Sequence, residues 1–169
     1  LSGLQRAALE VEPGREVLPG SLRALIAARL DTLSSGQRQV IDNASVLGAT
    51  GPLSALERFG VEMGQPYDAD DLDELVEIGM LDVDDRWWRF RSDVVREVAY
   101  QTLTKSARAQ RHAGTAAVMG GFDLGPIDQV AHHAASAAEL VGEIGPIDGV
   151  PDDIADRAVG LLGRAAERS

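Results

Sequence analysis

The stretch that most constrains this chain is Arg86–Leu103, RWWRFRSDVVREVAYQTL, because its hydrophobic period changes once and sharply. Trp88 and Phe90 alternate with Arg89 and Arg91, the period-two pattern of a strand with one buried face. Val94, Val95, Val98, Ala99 and Leu103 follow at helical spacing, with Arg96, Glu97 and Gln101 left outward. Between the two patterns stands Ser92, whose hydroxyl suits an N-cap, and Asp93 adds negative charge to the first turn. The stretch reads as a strand feeding a core helix.

The residues before it predict further short helices. Leu1, Leu4, Ala8 and Leu9 have helical spacing that Pro13-Gly14 ends, so residues 1–18 read as the tail of an upstream element or a linker. LPGSLRALIAARLDTL then offers Ser21 as a cap and Leu22, Leu25, Ile26, Leu30 and Leu33 as an apolar stripe. Ser34 with Gln37 is a capping box, ahead of Val40, Ile41, Ala44 and Leu47 and a stop at Gly48. Pro52 opens a helix through Leu53, Leu56 and Phe59 that Gly60 ends. Asp68 caps another, with Leu72, Leu75 and Val76 inward and Gly79 at its end. Met80–Val83 and Trp87–Phe90 are strands around an Asp84-Asp85 turn. Helices, a hairpin and a closing helix in this order predict a mainly α chain with a winged-helix domain over 19–104.

From Ser106 onward the chain reads as helical again. Ala109, Ala113, Ala116 and Ala117 give a small-residue face that Gly120-Gly121 interrupts. Ile127, Val130, Ala131, Ala134, Ala138 and Val141 make the next helix, and 142–151 a loop. Asp152 or Asp153 caps a last helix bearing Ile154, Ala158, Leu161, Leu162 and Ala165. Alanine-rich faces need close helical neighbours, so 105–169 reads as a repeat-like helical hairpin.

Charge is distributed unevenly. The chain carries a formal net charge of -11, yet Glu62–Asp85 alone holds ten carboxylates and no Lys or Arg, and Arg86–Arg111 holds seven basic residues against Asp93 and Glu97. Such an asymmetry points to oriented docking against another surface. Candidate interaction residues are Asp70, Asp71, Asp73 and Glu74 on the acidic side, and Arg86, Trp87, Arg89 and Arg91 on the basic side. With no cysteine in 169 residues, disulfides and thiolate metal sites are excluded. No apolar run approaches the ~20 residues of a membrane span, and no secretory signal opens the sequence at Leu1. These features suit a cytoplasmic protein. Lys105 is the only lysine among 16 basic residues, a composition of GC-rich bacterial genomes.

The sequence offers no catalytic constellation. A P-loop needs a Gly-Lys pair, and the single lysine follows Thr104. His132 and His133 are adjacent, so on a helix they point about 100° apart, one toward the core and one toward solvent, and no metal role is assigned to them. His112 lies among Arg108, Gln110 and Arg111 with no paired nucleophile. The helix in the DNA-recognition position carries five carboxylates beyond Asp68, a surface that repels phosphate, so DNA is not the expected partner.

Phe90, Ser92, Val95, Val98 and Tyr100, after an aromatic and basic strand, resemble the motif F-x-H-x-x-[IVL]-x-x-[AV]-x-Y that closes the winged helix of STAND-type regulatory ATPases. These include LuxR-type ATPases and the AAA-like ATPase segments attached to bacterial adenylate or guanylate cyclase domains. LPGSLRALIAARLDTL resembles the family's entry into that domain, and Ala44-Ser45-Val46-Leu47-Gly48 its "A-x-V-[LIF]-G" phrase. AHH-x-x-x-A and LLGRAAERS resemble the start of the TPR-like arrays that follow. The resemblance implies a signal-transduction segment that docks on an upstream nucleotide-binding domain, senses ATP or ADP with Mg held there, and passes the change to an effector domain. It implies no cofactor within this segment. The family's histidine, which reaches the bound ADP phosphate, is replaced by Ser92, with Arg91 as the neighbouring substitute. The alternative function is a DNA-binding winged-helix transcriptional regulator.

Overall fold

In the computed structural model, which describes residues 19–168, eight helices surround one small sheet. The helices are α1 (Gly20–Asp31), α2 (Ser35–Leu47), α3 (Leu53–Glu62), α4 (Ala69–Glu77), α5 (Asp93–Thr102), α6 (Lys105–Phe122), α7 (Ile127–Ile144) and α8 (Ile154–Ala166). The strands are β1 (Thr50–Pro52), β2 (Leu81–Val83) and β3 (Trp87–Phe90), antiparallel in the order β1-β3-β2. The expected helix through Leu1, Leu4, Ala8 and Leu9 lies outside the described residues.

Burial along β3 alternates as its sequence requires, with Trp88 and Phe90 inward and Trp87 and Arg89 outward. Trp88 meets Phe90 edge-to-face, centroids 5.9 Å apart, the favoured aromatic arrangement. Around them Ile26, Leu30, Val40, Ile41, Leu56, Leu75, Leu81, Val98 and Ala99 form the larger core. A second core joins α6, α7 and α8 through Ala109, Ala113, Ala116, Val130, Ala134, Ala137, Ile154 and Ala158. The alanines let these helices pack successively, α7 on α6 and α8 on α7.

The two cores share a border where α6 lies against α2 and α3. Gly114 makes the approach possible, since a Cβ there would stand 3.0 Å from Met63 Sδ and 3.1 Å from Phe59. Beside it the buried Arg111 donates from Nε to Asn43 Oδ1 at 3.1 Å.

Several sequence expectations need correction. Thr50–Pro52 forms a strand that the sequence did not announce, registered through Thr50↔Arg89 and Pro52↔Trp87. Pro19, not Ser21, holds the N-cap of α1 and has no side chain to cap with; Ser21 lies within the first turn. Asp68, Ser92 and Asp153 do stand at N-caps, but none makes a side-chain cap hydrogen bond. For Asp153 a competitor is visible, since its carboxylate bridges to Arg157 at 2.8 Å. Leu22, Leu25 and Leu162 are exposed instead of joining their stripes, as is Ala117. α3 runs through Gly60 to Glu62, and α6 through Gly120-Gly121 to Phe122. Gly60 is buried, so tertiary packing overrides glycine's weak helix propensity there, while Gly120 and Gly121 are exposed in the last turn of α6. The Ser34 capping box is formed in full.

Candidate functional site

The residues singled out for interaction fall on two adjoining elements. α4 presents Asp70, Asp73, Glu74 and Glu77 at the surface, while Asp71 is half-buried. Ser34 Oγ donates to Asp71 at 3.4 Å and Gln37 Nε2 donates to Glu74. No carboxylate of α4 forms an ion pair with any described residue. Acidic residues in its first turn, Asp70 and Asp71, also complement the helix dipole.

The β2–β3 hairpin organises the basic residues differently from the sequence picture. Asp82 lies opposite Arg89 in register and takes both arginines, Arg91 Nε at 2.7 Å and Arg89 at 3.5 Å. The Arg91 hydrogen bond, helped by both guanidinium charges, holds the Asp82 carboxyl below its ordinary range. At the turn, Asp84 Oδ1 accepts from the backbone N–H groups of Arg86 and Trp87, each at 2.8 Å, which lowers its pKa likewise. The turn leaves Trp87 52% exposed, an accessible aromatic beside the outward Arg86. Ser92 is half-buried where β3 passes into α5. Arg91 is its exposed neighbour, tied back to Asp82.

A second feature is a cleft of about 670 Å³ between the two cores. Its walls are the end of α2 with the Gly48–Thr50 turn, one face of α5 and one face of α7, and His112 of α6 closes its floor. All three histidines of the chain meet here, with ring centroids 5.2 to 6.4 Å apart. His133 is buried and His132 exposed, as adjacency on a helix requires. The sequence showed no nucleophile paired with His112, and the structure gives it a hydrogen-bond partner, Tyr100 Oη, 2.8 Å from its Nε2. Its Nδ1 lies 2.9 Å from His133 Nδ1, so Tyr100, His112 and His133 form one hydrogen-bonded chain across α5, α6 and α7.

Burial lowers the His112 pKa to about 3, with the His133, His132, Arg108 and Arg96 charges adding to it. Burial lowers His133 to about 4, with His132 and Arg96 contributing. Both rings are therefore neutral near pH 7, and a neutral imidazole offers one N–H and one bare nitrogen. Among the described residues no group of three or more His, Asp or Glu side chains is arranged to hold a metal ion.

No family model, no curated protein and no solved structure matches this chain.

The acidic and basic blocks were legible because each is contiguous in sequence. The cleft was not, because Arg96, Tyr100, His112, Asp128 and His133 come from three helices. The one available signal was that Tyr100 and Arg96 share a face of α5 at i, i+4. Among the described residues no helix is long and apolar enough to cross a membrane.

Proposed function

We propose that this chain is the winged-helix regulatory segment, with the first helices of a TPR-like region, of a longer cytoplasmic STAND-type ATPase. The element order α2-β1-α3-α4-β2-β3, with the sheet order β1-β3-β2, supports the winged-helix reading. In a DNA-binding winged helix, α4 would be the helix laid in the major groove.

The observation that carries the function is the charge on that helix. Its exposed carboxylates Asp70, Asp73, Glu74 and Glu77 have no cation among the described residues. DNA affinity comes largely from neutralising phosphates, so this face opposes a duplex. It favours a basic protein surface, and the neighbouring hairpin adds an accessible Trp87 of the kind that anchors protein contacts. The partner is the nucleotide-binding domain ahead of this segment in the parent chain, where ATP or ADP with Mg is held. The segment itself binds no nucleotide, and it relays the state of that domain to an effector such as a cyclase or a LuxR-type DNA-binding domain. Ser92 takes the motif position at which the STAND-type ATPases it resembles carry a histidine for the ADP phosphate, which on this reading leaves the nucleotide contact weaker or hands it to Arg91.

Reversing Asp73 and Glu77 to Lys inverts the charge of that exposed face and breaks no ion pair among the described residues. Mixed at low salt with the separately expressed nucleotide-binding domain, the reversed segment should associate about ten-fold or more weakly. Unchanged association contradicts the docking face. Tight duplex binding with a steep salt slope would instead make the chain a transcriptional regulator.

A further inference from the structure

We propose that the cleft between α5 and α7 binds a small zwitterion of the amino-acid type, its carboxylate on Arg96 and the Nε2 edge of His133, its ammonium group on Asp128. This inference does not depend on the docking function above.

The polar groups left over in the cleft are what define its ligand. Glu97 is already occupied, accepting from Arg23 at 2.9 Å and from Gln101 at 3.1 Å. Tyr100 and His112 are spent on each other. Arg96 differs: its guanidinium has no ion pair or hydrogen bond among the described residues, and its Nε is buried without a partner. A buried donor left unpaired is uncommon in folded proteins and asks for an acceptor. Asp128, exposed on the α7 wall, has no hydrogen bond or ion pair with its side chain among the described residues, and it does not bridge to Arg96. One free cation and one free anion therefore line the same cleft without meeting.

A ligand carrying both charges satisfies both groups. A dianion such as phosphate would suit Arg96 but would face the carboxylates of Asp128 and Glu97. A simple amine would leave Arg96 unpaired. The volume, about 670 Å³, lies within the roughly 300–1,000 Å³ usual for small-molecule sites and leaves room for a side chain.

The histidine chain supplies the matching donor. When Tyr100 O–H donates to His112 Nε2, the His112 Nδ1–H donates to His133 Nδ1, and His133 carries its proton on Nε2. In the opposite polarity His133 Nε2 is bare. A carboxylate in the cleft selects the first arrangement, because it needs the N–H. Ligand entry is thus coupled to one tautomer along three helices, from α7 through α6 to α5.

The test is long-range nitrogen-15 spectroscopy of the histidine-labelled chain, titrated separately with glycine, L-glutamine, L-leucine and L-arginine. At least one should shift the His133 resonances to saturation and fix the Nε2–H tautomer. The N-acetyl derivative of that amino acid and acetate should each bind about ten-fold or more weakly, as should Arg96→Gln and Asp128→Asn. Should Arg96→Gln fail to fold, Asp128→Asn and the acetyl derivative decide the matter. The proposal is overturned if none of the four amino acids moves His133 at millimolar concentration. It is also overturned if acetate binds as well as the best amino acid, or if the shifts persist in the folded variants.

Discussion

Trp88 has no exposed surface, and both the sheet and α5 are assembled over it. Truncating a buried aromatic removes its transfer energy and leaves a cavity, so Trp88→Ala should cost about 3–5 kcal/mol in urea unfolding. A loss under about 1 kcal/mol would mean that β3 is not the centre of the core. The buried imidazoles make a different prediction. Their folded pKa values, about 3 for His112 and about 4 for His133, lie below the ordinary 6.5 because burial disfavours the charged ring. Between those limits the unfolded chain binds more protons than the folded one, so stability falls as pH falls. The contribution is complete above about pH 6.5 and is lost toward the folded values, at most about 1.4 kcal/mol per pH unit for each ring. Replacing both with Gln should flatten that part of the profile measured from neutral pH to about 4.5. An unchanged slope would show that the rings do not titrate against burial.

Among the elements, α2 has the most complete start: Ser34 Oγ accepts from Gln37 N–H at 3.2 Å, and the Gln37 side chain accepts from Ser34 N–H at 3.0 Å. Ser34→Ala should therefore lower stability by about 1 kcal/mol, read as a shift in urea midpoint with unchanged slope. No shift would mean that the box is redundant with packing. The box was legible because its two residues sit at fixed spacing. The alternation in β3, the Asp84 turn and the stripe of α2 were legible for the same reason: each is a local pattern. Strand β1 was not, because two of its three residues, Gly51 and Pro52, disfavour strands, and it pairs only with the neighbouring β3. Gly51 opposes Trp88 there, where a Cβ would lie 3.3 Å from the indole, a fit visible only once the partner is placed. Leu25 misled in the other direction, since helical spacing gives a stripe's direction but not its width.

At the scale of the whole molecule, the chain is two small cores held by a polar and a glycine contact. Arg111 reaches from α6 to Asn43 of α2 within a network where Arg38 bridges to Asp42 at 2.9 Å. Burial raises the Asp42 pKa, while the hydrogen bond from Arg38 and the charges of Arg38 and Arg111 oppose it. This junction leaves α4 and the β2–β3 hairpin exposed and the cleft open between the cores. On the function proposed above, the exposed side is a docking face controlled by nucleotide bound elsewhere in a longer chain. Hydrogen exchange of the longer protein proposed above, compared in Mg-ADP and Mg-ATP, tests this most directly. Residues 69–91 should exchange more slowly in the ADP state than in the ATP state, and more slowly than in this chain alone. Identical exchange over 69–91 in all three samples would contradict the account.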